Sequence, residues 1–140
     1  MTQVDFYLQQ DASGPDLLAC RLVDKAFRNG HSVYLLAASQ QQAEALDQLL
    51  WTFSQGSFVP HHIQNDGKAA DDVRVLIGTQ EAPEHLHDVL ISLAEDVPPF
   101  FSRFERVVEI VAGDETMREN ARQRFRFYRD RGYPLQTHEL

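Results

Sequence analysis

Six arginines fall between positions 118 and 131, in the run TMRENARQRFRFYRDR. A guanidinium donates paired N–H bonds that match the oxygens of a carboxylate or phosphate, so such a run can grip an anion. Within Thr116–Arg131 the six arginines face only Glu119 and Asp130, a net +4. The other seven basic and nineteen acidic residues carry −12, which completes the chain's −8. Coating nucleic acid needs many cations on one surface. An acidic protein with one cationic helix is better suited to holding something small and anionic at one place.

On a helix turning about 100° per residue, Arg118, Arg122 and Arg129 share an arc of about 60° with Phe125. Met117, Ala121 and Tyr128 form the predicted core stripe beside it. Cations next to an aromatic ring suit a ligand that joins carboxylates to an apolar group. An ordinary solvated face explains the same pattern, and arginine near a helix C-terminus complements the macrodipole, which accounts for Arg129 and Arg131 without a ligand. Arg124, Arg126 and Arg131 lie outside the face and are assigned no role. A second feature is WTFSQGSFVPH, where Trp51, Phe53, Phe58 and Val59 crowd a helix end and a turn. Exposed aromatics there would mark a protein interface; buried ones would be core. The residues alone leave both open.

Other chemistry finds little support. The first strand runs into QQDASGPD, with neither G-x-G-x-x-G nor G-x-x-x-x-G-K-[ST], and no G-x-S-x-G elbow occurs. Gly67-Lys68 has no partner glycine five residues before it. His61 and His62 are adjacent on an extended segment and would point to opposite faces, away from one shared ion. His85 and His87 lie in the polar stretch EAPEHLHD, and no C-x-x-C or H-E-x-x-H accompanies any histidine. Cys20 falls on the apolar face of the first helix as a small hydrophobe. No catalytic residue, cofactor or metal is expected. An α/β enzyme or nucleotide binder with an unrecognised site remains the rival reading.

The elements that must carry these residues alternate. Val4, Phe6 and Leu8 read as a strand, Pro15 starts a helix that ends at Asn29-Gly30, and His31–Ala37 is a buried strand. Ser39 caps a helix through Trp51. An extended segment follows over Gly56–Pro60, then a polar loop over Gln64–Asp72. Strands follow at Val73–Ile77 and Val89–Leu93. Pro98-Pro99 opens a short helix, Phe100–Phe104, before a strand at Arg106–Val111. Asp114 is placed to cap the arginine helix and Gly132 to end it, leaving YPLQTHEL as a surface tail. The order predicts an α/β fold in one domain over residues 1–140, a mainly parallel sheet flanked by helices.

Length and composition agree. A chain of 140 residues can bury roughly 70% of its unfolded surface, and 43% hydrophobic with 24% charged residues is ordinary for a globular domain. No run reaches the ~20 apolar residues that span a bilayer. MTQVDFYL lacks the features of a signal peptide. A single cysteine points to a reducing cytoplasm.

Taken together these segments resemble the χ (chi) subunit of bacterial DNA polymerase III over the whole length. The resemblance rests on V-D-F-Y-L at the start, on ALDQLLW up to Trp51 followed by SFVPH up to His61, and on LISL at Leu90–Leu93. PFFSRFERVVEIV up to Val111 and the closing A-R-x-R-[FY]-x-x-Y-R complete it. It implies a non-catalytic clamp-loader accessory with a nucleotide-binding-like fold lacking the nucleotide site. The implied partners are the ψ (psi) subunit and the acidic C-terminal tail of single-stranded-DNA-binding protein, with no direct contact to nucleic acid or membrane. Carried over, the tail site is Arg118 and Arg122 for carboxylates, with Val111 and Phe125 lining an apolar pocket and Arg129 on the same face. The family often has lysine at the position of Arg118 and tyrosine at that of Phe125. This chain therefore presents a planar fork at the first position and no hydroxyl at the second. Trp51 and Phe58 match the psi-facing surface, which in relatives also serves a repair helicase that would compete with psi.

Overall fold

The computed structural model describes residues 2–9, 14–56, 58–64, 73–113 and 115–139. Most of the expected polar loop and the proposed Asp114 cap lie outside these residues. The described elements are β1 (Gln3–Leu8), α1 (Pro15–Arg28), β2 (Val33–Leu36), α2 (Gln40–Thr52), β3 (His62–Ile63), β4 (Val75–Gly78) and β5 (Val89–Ser92). A 3-10 turn (Phe101–Arg103), β6 (Arg106–Val111), α3 (Glu115–Asp130) and β7 (Leu135–Glu139) follow.

All seven strands join one sheet in the order β3-β4-β2-β5-β6-β1-β7, and every pairing is parallel. Parallel strands require crossovers and coverage of both faces. Alternation divides the side chains accordingly. Val33, Leu35, Val108 and Ile110 face a core closed by Leu18, Val23, Leu46 and Leu50 of α1 and α2. Tyr34, Leu36, Val107 and Val111 face the other core, closed by Ala121 and Tyr128 of α3 with Phe100, Phe101 and Phe104. Cys20 is buried in the first of these cores.

The local signals act as expected. Pro15 occupies the first turn of α1, where its missing N–H costs nothing. The Ser39 hydroxyl accepts from the Gln42 N–H at 3.1 Å, while the Gln42 amide oxygen accepts from the Ala38 N–H at 2.8 Å. That exchange satisfies two donors at the start of α2. Gly132, at φ 80°, ends α3 and turns the chain back toward the sheet.

Three expectations are corrected. The closing segment is no surface tail but strand β7, paired in register from Val4↔Leu135 to Leu8↔Glu139. Without it β1 would carry an unpaired row of peptide groups. Buried Asp5 reinforces the pairing, binding Arg106 of β6 and His138 of β7, while His138 stacks on Tyr7. Of the extended segment expected at Gly56–Pro60, Gly56 lies in a turn and residues 58–60 form no strand; the strand that follows is the two-residue β3. Met117, expected in the core, is half exposed, unlike Ala121 and Tyr128.

Candidate functional site

Leu8, Val111 and Glu139 are neighbours across the C-terminal ends of β1, β6 and β7, the end of a parallel sheet where ligand crevices form. α3 passes over them and leaves a cleft of about 270 Å³. Phe6, Leu8 and Val111 supply an apolar floor. Arg118, Ala121, Arg122 and Phe125 form one wall, and Thr137 and Glu139 of β7 the other. The wall follows from helical spacing, because positions i, i+3, i+4 and i+7 share a face. Phe125 is partly buried, with its ring edge-on to Phe6 at 5.4 Å. Val111, Arg118, Arg122 and Phe125 therefore meet in one place. Arg129 does not line the cleft; its guanidinium lies 3.2 Å from the Asp130 carboxylate. Thr137 and Glu139 had no signal in the sequence, because only the pairing of β7 on β1 brings them here.

The charge of the cleft differs from that of the isolated run. One nitrogen of Arg122 donates to Glu115 at 3.0 Å and to Glu119 at 2.8 Å. These bonds, Glu119 foremost, raise the pKa of Arg122. Among the described residues Arg118 makes no ion pair, so it is the cation of the wall that is immediately available. Two carboxylates on Arg122 and a third, Glu139, on the opposite wall offset the two arginines.

Beneath the helix, Arg124 has a structural role that the charge pattern did not reveal. It is 7% exposed, and its Nε donates to the Glu109 carboxylate at 3.1 Å while Nη1 donates to the Glu95 carbonyl at 2.8 Å. The Tyr128 hydroxyl donates to the other Glu109 oxygen at 2.7 Å. Burial pushes Glu109 from an ordinary 4.5 up to about 7, against the opposing pull of Arg124 and the Tyr128 hydrogen bond. Burial, and then the charge of Glu109, raises the Tyr128 hydroxyl in turn. The signal was available in principle: Glu109 stands in the middle of an otherwise apolar strand, RVVEIV, and a buried carboxylate needs a cation.

The aromatic cluster separates into two parts. Val59 is buried and Phe53 packs against the core, whereas Trp51 is 45% and Phe58 71% exposed. Their rings lie 5.8 Å apart, and Trp51 also packs on His61 at 4.1 Å. His61 is buried, with ring nitrogens 2.6 Å from the Val59 carbonyl and 2.9 Å from that of Asp47, while His62 is exposed. This patch, at the end of α2 and ahead of β3, stands at the opposite edge of the sheet from β7 and the cleft. Among the described residues no three His, Cys, Asp or Glu side chains gather as a metal site, and no helix is long and apolar enough to cross a membrane.

Comparison with known proteins gives this geometry a family. The model of the family described as "DNA polymerase III chi subunit, HolC" matches residues 1–136. The DNA polymerase III subunit chi of Pseudomonas aeruginosa is 42% identical over 142 residues, covering 100% of this chain and 98% of the relative. That of Escherichia coli K12 is 29% identical, covering 98% and 97%. Among solved structures, T4 UvsW matches 99% of this chain and 41% of its own with a TM-score of 0.70 at 5% identity, a likeness of fold alone. The chain belongs to the DNA polymerase III chi subunit family.

Proposed function

We propose that this member of the DNA polymerase III chi subunit family is a non-catalytic bridge acting in the cytoplasm during DNA replication. One surface holds the psi subunit of the clamp-loader assembly, and the other holds the acidic C-terminal tail of single-stranded-DNA-binding protein. The observation that carries the proposal is the position of two ligand-sized surfaces at opposite edges of one sheet. Two partners can then be held at once without competing for space. The tail, an acidic run ending in an apolar residue and a free carboxylate, suits the α3 cleft at both ends. Arg118 and Arg122 take carboxylates, and the floor of Phe6, Leu8, Val111 and Phe125 takes the apolar side chain. Arg129, farther along the same helix, meets the more distant acids of the run. Trp51 and Phe58 take psi, and a repair helicase carrying a matching surface competes with it there.

A charge-assisted bond contributes about 1.5–3 kcal/mol when sheltered and less at an exposed rim. The cleft's cations are at its rim, so tail affinity is modest and falls with salt. The test is a titration with a labelled peptide ending in Asp-Asp-Ile-Pro-Phe, alongside ATP. The peptide should bind, the Arg118→Ala/Arg122→Ala variant should lose binding, and ATP should not bind. Undiminished peptide affinity in the double variant, or ATP binding at the cleft, would overturn the assignment.

A further inference from the structure

Arg122 lines the cleft, yet one nitrogen of its guanidinium, Nη1, is already engaged by two carboxylates. It donates to Glu115, seven residues earlier, and to Glu119, three residues earlier. All three side chains are about half exposed or more, and all belong to α3. Exposed ion pairs of this kind are weak and exchangeable. The local balance of Arg118, Arg122, Glu115 and Glu119 is zero, and Glu139 on the facing wall makes it negative. An anionic ligand therefore meets a rim without net positive charge and, among the described residues, with one cation outside any ion pair, Arg118.

We propose that Glu115 and Glu119 form an intramolecular carboxylate clamp on Arg122 Nη1, with which an acidic ligand competes by exchanging its own carboxylates for theirs. The inference rests on the tail-binding function proposed above and adds a determinant of its selectivity. A single carboxylate engages Arg118 and gains little from Arg122, whose existing bonds it merely replaces. A ligand with several adjacent carboxylates holds Arg118 with one and competes at Arg122 with another at high effective concentration. The clamp thus discriminates against isolated acidic side chains and favours a clustered acidic run. It also leaves Arg122 bonded when the cleft is empty, which limits non-specific capture of polyanions.

The experiment measures the Asp-Asp-Ile-Pro-Phe peptide by fluorescence anisotropy against the intact chain and its Glu115→Gln/Glu119→Gln variant. The variant removes two exposed charges and keeps the side-chain shapes; a thermal melt checks that it folds. The expected result is about three- to tenfold tighter binding in the variant. The same two substitutions in an Arg122→Ala background should recover less than half of that gain, because a displaced clamp requires Arg122 while a general field effect does not. Binding by both proteins with equal affinity, or a gain fully retained without Arg122, overturns the clamp and leaves the tail site standing. Binding by the variant alone supports a clamp strong enough to close the cleft. Failure of both proteins to bind overturns the tail site and the clamp together.

Discussion

Replacing Arg124 with methionine tests the buried network beneath α3. The substitution keeps an unbranched side chain while removing the guanidinium and its bonds to Glu109 and the Glu95 carbonyl. Glu109 is 0% exposed, so its carboxylate loses its cation without access to water. Removing one partner of a buried pair costs about 3–5 kcal/mol, a large share of the ~5–15 kcal/mol that holds a domain folded. The melting temperature should fall by about 10 °C. The loss should also depend on pH. In the wild-type protein Glu109 is raised to about 7 from 4.5. A carboxyl raised on folding contributes its full stability below the unfolded value and loses it as pH climbs through the folded one. Wild-type stability from this group therefore declines between pH 4.5 and about 7. Without Arg124 the carboxyl rises further, and the decline continues into alkaline pH. Urea unfolding at pH 5, 7 and 8 should show the gap between wild type and Arg124→Met smallest at pH 5 and widest at pH 8. Adding Glu109→Gln should restore more than half of the loss at pH 8. A gap below about 1 kcal/mol at pH 8, or one that ignores pH, would refute the view that this pair is a buried, mutually dependent charge pair.

The other expectations are simpler to check. Arg118→Ala should weaken tail-peptide binding at least as much as Arg122→Ala, because Arg118 is available while Arg122 is already bonded to Glu115 and Glu119; anisotropy titrations in low and high salt measure both. Phe58→Ala should abolish psi co-purification while changing stability by no more than about 0.5 kcal/mol, since the ring is mostly exposed. Trp51→Ala should do the same at a larger cost in stability, because it uncovers His61. Cys20 is buried and its thiol is pushed up to about 12, first by burial and then by the charge of Asp16. A thiol reagent at pH 8 should leave the native chain unlabelled and react fully only after denaturant is added.

Two surfaces at opposite sheet edges make a bridge possible because a parallel α/β sheet is stiff. Its two cores are built from alternating residues of the same strands, so the proposed partners at the aromatic patch and at the cleft would be held at a fixed separation. In the proposed function the fold, which T4 UvsW shares, serves as a spacer; by itself that fold says nothing of function.

Much of this was legible in the residues. Strand β6 was expected at its observed bounds and α2 at its observed cap, because the apolar period and the Ser39 signal are local. The cleft wall of Arg118, Arg122 and Phe125 was equally readable, since helical spacing alone puts them on one face. Three things needed the tertiary structure. LQTHE has no strong strand pattern, and it becomes β7 only because β1 offers an unpaired edge and Asp5 binds His138 across it. Phe58 and Val59 are adjacent apolar residues, and only packing decides that one faces solvent and the other the core. Charge was the least legible property. The sequence alone established six arginines on one helix, and burial and geometry then decided what each could do. Glu109 takes Arg124 into the core, Glu115 and Glu119 engage Arg122, and Arg118 makes no ion pair among the described residues. A sum of charges carries no information about which partner lies within hydrogen-bond reach, and at about 3 Å that partner outweighs the net charge of the run.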